Sequence, residues 1–318
     1  MAVILPTLIH GPSYIAFNGL TYQTRSGVRC NHRRSTFIVD ADSDGEVDER
    51  MTSDSVEITF EPRGDIASNA DLVKMFPYGP TSLVATHSIG RSAILTGPII
   101  YCSNGDVITF AKGAITRLAP MRLRPTTTLF GDMTITCIGD VSLDRTNGSY
   151  FKAISSAAYT DPALVTEDII TDSWNLSWGA VALGSVAGFE FTVNLRTDEI
   201  PAVDSGIADI SLTSMRGEVS FSPHYSGLTE TTLNSTIMKW QGSGALQVGQ
   251  SISDASGVVL GQDLVLTANN CGMVITLHKA GPKDMDSIYG VAKHRYSAMT
   301  WVQKRAPQGN VFSITGPS

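Results

Sequence analysis

The densest concentration of ligand-type side chains is the run Asp40-Ala41-Asp42-Ser43-Asp44-Gly45-Glu46-Val47-Asp48-Glu49. Three carboxylates at alternate positions, followed by a turn glycine, have the spacing of a calcium loop. Asp40, Asp42 and Asp44 would be the first ligands, and Asp48 fits the ninth position. The twelfth position, where a bidentate glutamate closes such a loop, is Met51. An acidic, solvated turn between two strands accounts for the same residues more simply, and no metal is expected. A basic cluster, Arg25, Arg29, His32, Arg33 and Arg34, lies just upstream. It lacks the aromatic interleaving of a nucleic-acid surface and is followed at once by acid. Ion pairing between copies of the chain is therefore a more economical use, with a plain solvated loop as the alternative.

Little other chemistry is spelled out. The chain has no phosphate-binding glycine loop, no nucleophile elbow and no H-E-x-x-H. His10, His32, His87, His224, His278 and His294 are never spaced as metal ligands with a carboxylate. Cys30, Cys102, Cys137 and Cys271 contain no C-x-x-C pair and are read as small buried hydrophobes in a reducing compartment. No cofactor is implied, and an enzyme is the least favoured class.

The elements that would hold these residues occur twice. Ala41–Pro62 (ADSDGEVDERMTSDSVEITFEP) aligns without a gap on Ala202–Pro223 (AVDSGIADISLTSMRGEVSFSP) at an offset of 161, with 8 of 22 positions identical. Gly105–Lys112 (GDVITFAK) matches Gly272–Lys279 (GMVITLHK) at an offset of 167, and Met133-Thr134 matches Met299-Thr300 at 166. Val56, Ile58 and Phe60 alternate with Glu57, Thr59 and Glu61, the period of a half-buried strand. Val219 and Phe221 repeat its apolar side, and Pro62 and Pro223 stop the two strands. A short helix is expected near 69–76, with Leu72, Met75 and Phe76 on its apolar face. A second is expected near 230–240, with Leu233, Ile237 and Trp240. Strands are expected at Tyr14–Phe17 and Asn175–Trp178.

The expected fold is thus mainly β: two tandem β-sandwich or partial-barrel domains, each with one short α-helix. They span 1–140 and 166–305, with a connector at 141–165 and a C-terminal arm at 306–318. The arms 1–12 and 306–318 have the content of segments that order on a neighbour. Hydrophobic residues at 42% suffice for two cores, and a net charge of −7 argues against gripping DNA phosphates. The start, MAVILPTLIHGPS, lacks a basic region and reads as mature protein; no apolar run is long enough to span a membrane.

A duplicated, acidic β domain with one helix per copy resembles the major tail proteins of long-tailed bacteriophages. The resemblance is of architecture over about 1–305, not of a diagnostic motif. It implies a virion structural protein whose subunits join sheet edges into rings. Stacked rings enclose the conduit through which DNA is ejected. Two tube domains per chain imply a homotrimeric ring with pseudo-six-fold symmetry, assembled in the host cytoplasm. Its partners would be itself and other tail proteins. Genome DNA would pass without specific binding, and no membrane is involved. On this reading Asp42, Asp44, Glu46, Asp48, Asp204 and Asp209, with Arg29, Arg33 and Arg34, form an assembly interface that helps set ring-to-ring stacking. Another virion part (neck, tail terminator or capsid decoration) is the alternative, followed by a two-domain β binding module or adhesin.

Overall fold

The computed structural model describes residues 13–42, 45–62, 74–78, 89–123, 128–140, 152–160, 173–202, 206–223, 232–239, 248, 262–269, 272–287, 296–303 and 311–315. It is mainly β, as the alternation of apolar and polar residues requires. The first half contributes β1 (Ser13–Phe17), β2 (Leu20–Ala41), β3 (Gly45–Pro62), β4 (Leu95–Thr96), β5 (Ile99–Cys102), β6 (Asp106–Phe110), β7 (Lys112–Arg117), β8 (Met121–Leu123), β9 (Thr128–Phe130), β10 (Met133–Ile138) and β11 (Lys152–Ser156). The second contributes β12 (Trp174–Trp178), β13 (Val181–Leu183), β14 (Ser185–Ala202), β15 (Gly206–Pro223), β16 (Gln262–Ala268), β17 (Val274–Ser287), β18 (Tyr296–Gln303) and β19 (Phe312–Thr315). Every pairing between them is antiparallel.

In each half the pairings close on themselves. β1 pairs with β2 and β5, β2 with β3, β3 with β10, and β10 with β7. β7 continues from β6 across Ala111, and β6 pairs with β5. The second half repeats the circuit. β12 pairs with β13 and β16, and β14, which follows β13 across Gly184, pairs with β15. β15 pairs with β18, and β17 pairs with both β18 and β16. Closure of this kind leaves the barrel proper without a free edge. The first turn of each circuit has the residues it needs. Asn18 (φ 51°) and Gly19 (φ 74°) both lie in the left-handed region between Phe17 and Leu20, as a two-residue hairpin turn demands.

The repeat holds at the level of individual partners. Ile58 faces Ile135 and Cys30, whereas Val219, 161 positions on, faces Trp301 and Phe191. The Thr59 and Thr134 hydroxyls lie 3.3 Å apart; their counterparts, Ser220 and Thr300, lie 3.2 Å apart. The cores fill the same place with different side chains. Trp178 and Trp301 pack at 5.0 Å between ring centroids, and the Trp178 indole N–H donates to the Ala280 carbonyl at 2.9 Å. Phe17, Ile135 and Gly113 hold the same three positions in the first half. There a β-carbon on Gly113 would lie 3.1 Å from the Ile135 side chain and 3.5 Å from the Phe17 ring. The two tryptophans thus occupy the volume that the first half fills with a phenylalanine and an isoleucine, at the packing density protein interiors demand.

Two sequence expectations are revised, and a third lies mostly outside the described residues. The expected helix at 69–76 is seen only at Lys74–Met75, residues 69–73 lying outside the described residues. Met75 and Phe76 are buried, as its apolar face required. The expected α-helix near 230–240 is a π-helical turn, Thr232–Ile237, in a stretch (TLNSTI) of weak α-formers. Of its apolar face, Ile237 is buried, and Trp240 lies outside the described residues. Of the C-terminal arm, residues 311–315 are described, and they order on their own chain. β19 pairs with β17, and Phe312 is wedged between Phe76 and Phe191, its ring centroid 6.2 and 5.5 Å from theirs. β11, in the connector, pairs with β6 just as β19 pairs with β17, with Ile154 and Ile314 in the same register.

Candidate assembly surface

The two longest hairpins, β2–β3 and β14–β15, are one structure built twice. Val28 faces Phe60 and Phe189 faces Phe221; Ser35 faces Ser53 and Arg196 faces Ser214; Asp40 faces Glu46 and Pro201 faces Ile207. The register breaks in both after the same three positions: Thr24 and Ser185, Ser35 and Arg196, Val39 and Ile200 (for the last pair, on the strand leading to the tip). Bulges re-aim strands and are specified features of a fold. Three at matching positions give both hairpins the same bend.

Their surroundings differ. The β14–β15 arm is clasped by the first half of the chain. β8 adds to the outer edge of β14, Met121 facing Phe191 and Leu123 facing Phe189. On the outer edge of β15, Gly90 N–H donates to the Leu212 carbonyl at 2.7 Å and Ala93 N–H to the Ile210 carbonyl at 2.7 Å. In return Leu212 N–H donates to the Arg91 carbonyl at 3.1 Å. At the tip, a β-carbon on Gly206 would stand 2.8 Å from both Ser53 Cα and the Thr52 carbonyl oxygen. Buried beneath these contacts are Ile207, Ile210 and Leu212.

Among the described residues the β2–β3 arm has none of this edge cover. Among the described residues no strand pairs with the outer edge of β2 at Val28–Cys30, or with that of β3 at Glu49–Met51. A β-carbon on Gly45, the tip residue, would meet nothing within 4 Å. Met51 is 56% exposed where its counterpart Leu212 is 0% exposed, and Phe37 is 61% exposed. β11 shows the same contrast: Ile154 is 66% exposed, whereas Ile314 is 1% exposed. A protruding, unpaired β arm with exposed large apolar side chains is an open template for another strand.

The structure divides the predicted interface residues. Arg33 pairs with Glu57 at 2.8 Å and Arg34 with Asp54 at 3.5 Å, both across their own hairpin, so these two cations are engaged within the chain. Asp48 pairs with Arg50 at 3.0 Å, while Arg29, Asp42 and Glu46 are exposed along the arm. Asp209 is engaged within the chain: its carboxylate accepts a 2.6 Å hydrogen bond from Ser92 of the first half. Asp44 and Asp204 lie outside the described residues. In the acidic run Asp40 faces Glu46 and Val39 faces Asp48 in paired strands, and residues 43 and 44 of the turn lie outside the described residues. Among the described residues no three His, Cys, Asp or Glu gather to hold a metal.

Burial pushes the Tyr78 hydroxyl well above its ordinary range; the hydroxyl donates to the Ile115 carbonyl at 2.8 Å. Burial likewise raises the Cys137 thiol, with Cys30 adding to the effect. Cys102 and Cys137 are buried as expected; Cys30 is instead exposed on β2, and Cys271 lies outside the described residues. His278 pairs with Asp263 at 3.1 Å, and among the described residues no helix is long and apolar enough to cross a membrane. Sequence reasoning missed β8 and the stretch Gly90–Ala93. Neither shares a matched block, and nothing local in either says which strand it will join. Comparison with protein-family models and with curated proteins finds no match.

Proposed function

We propose that this chain is a virion structural protein, the repeating subunit of a bacteriophage tail tube, and acts by assembly rather than catalysis. The reading rests on the duplication. Two barrels share their register down to three bulges, and strands of the first complete the second. A unit joined once in this way can be joined again. Three chains would set six barrels around one channel, and closed symmetry is the usual outcome of such repetition. The net charge of −7 suits a channel wall along which DNA slides without sticking. Other tail proteins would bind the ends of the tube, and the virion tail would be its final location.

Electron microscopy of the purified chain tests the reading. Rings or tubes are expected, with mass measurement giving three chains per ring. Monodisperse monomers at high concentration would overturn it in favour of a binding module. Six chains per ring would overturn the trimer.

A further inference from the structure

We infer that the β2–β3 arm, whose outer edges no described strand covers, is the docking site for a second copy of this chain, seated on that copy's second half as the β14–β15 arm is seated on the first half. The inference deepens the assembly reading above and rests on it. Both outer edges of the clasped arm carry backbone hydrogen bonds from the other half: β8 on Phe189–Phe191, and Gly90–Ala93 on Ile210–Leu212. The corresponding edges, Val28–Cys30 and Glu49–Met51, have the same register and bend, and no described strand occupies them. Strand addition to an open edge is satisfied mainly by main-chain groups, so it does not need the two arms to share side chains.

The side chains say which surface arrives. Within the chain, Ile210 lines a cleft with Glu57, Thr116 and Thr136 of the first half. In the proposed contact its counterpart, Glu49, is acidic, and the counterpart of Thr116 is Lys283. Thus, at the Thr116 position, a neutral side chain of a cleft that also holds Glu57, Asp198 and Glu199 is replaced between chains by a cation that meets Glu49. Lys283 already pairs with Glu218, the counterpart of Glu57, at 3.9 Å and is 47% exposed, so Glu49 of the partner would join that pair. The tip repeats the logic. Gly206 abuts Ser53, and the counterpart of Ser53 is Ser214, which is exposed and so placed to receive Gly45 of the partner. The contact is head to tail, because the arm belongs to the first half and its receptor to the second. Such a contact propagates from chain to chain until it closes.

A charge swap on the full chain tests the contact, read by sedimentation velocity, with near-ultraviolet circular dichroism to verify folding. Glu49→Lys and Lys283→Glu should each lower the association constant by roughly tenfold or more, since like charges brought together oppose docking. The double variant should regain most of the loss. Met51→Asp, elsewhere on the arm, should also weaken association while leaving the dichroism unchanged. The contact is overturned if folded Glu49→Lys associates like the wild type, or if the double variant recovers nothing. Rings that form regardless of the swap would remove this contact and leave the tube reading intact. Oligomers that respond to the swap but never form rings or tubes would keep the contact and remove the tube.

Discussion

Ser92 and Asp209, 117 residues apart, are joined by a 2.6 Å hydrogen bond from hydroxyl to carboxylate. The same carboxylate accepts the Ile210 N–H at 2.8 Å, so one side chain ties a loop of the first half to the arm of the second and fixes the backbone beside it. The site is exposed, which limits its value to the lower part of the range for a hydrogen bond to a charged group. Ser92→Ala should therefore cost about 1 kcal/mol in urea unfolding. No change in midpoint would show that water replaces the hydroxyl at no cost.

Gly45 and Gly206 offer a matched pair of substitutions. Both lie in the left-handed region, at φ 70° and 79°, so an alanine at either is strained by about 1–2 kcal/mol. Only at Gly206 does the new methyl also meet backbone, at Ser53 and Thr52. Gly206→Ala should be the more destabilising in the monomer, and Gly45→Ala should carry the backbone strain alone. Equal losses would mean that the Gly206 tip is not held against β3.

Stability should fall on the alkaline side. The Tyr78 hydroxyl and the Cys137 thiol are both raised in the folded chain by burial, above ordinary values of 10.0 and 9.0. The folded state then keeps protons that the unfolded chain gives up. The contribution is complete below the ordinary values and is lost as pH rises above about 9 for the thiol and about 10 for the hydroxyl. Each group adds a slope of at most about 1.4 kcal/mol per pH unit. Urea midpoints between pH 7 and 11 should show this decline, with Cys137→Ala removing the earlier part and Tyr78→Phe the later. A profile flat to pH 11 would contradict the burial of both.

Ser214→Trp places a large side chain where the proposed contact seats Gly45 of the next chain. Ser214 is exposed, so the monomer should keep its melting temperature to within a few degrees. Association, followed by light scattering, should be abolished. A variant that still forms rings would show that this part of β15 faces solvent in the assembly.

The repeat made half of this legible in advance. Ile58 and Val219 were placeable because each lies within a block whose apolar side must face a core, and a one-residue slip would have reversed every side chain. The tryptophan pair was visible only as apolar pattern. Asn18-Gly19 is a hairpin signal plain in the sequence that strand periodicity alone passes over. The length of the β2–β3 arm was not readable, because beyond Asp54 both faces are solvated and alternation disappears. Nor was the pairing of β11 and β19. KAISS and FSIT share little, and their equivalence lies in which strand accepts them. The sequence leads one to expect Arg33 and Arg34 to pair between copies of the chain, yet both find partners within it, because pairing distance does not follow from neighbourhood in sequence. Their partners, Glu57 and Asp54, come from across the hairpin.

The strand β8 has a mechanical consequence. It leaves the first barrel after Leu118, joins β14 of the second, and the chain then returns to β10 of the first. A fragment ending at residue 140 would carry β8 with no strand to join and would lack β11. A fragment starting at 166 would leave the edge of β14 bare. The two halves are therefore not separable at the boundary of the repeat, and a protease that cuts between Ile138 and Lys152 should leave both pieces bound together. Unfolding should be a single transition seen alike by the tryptophans, which all lie in the second half, and by probes in the first.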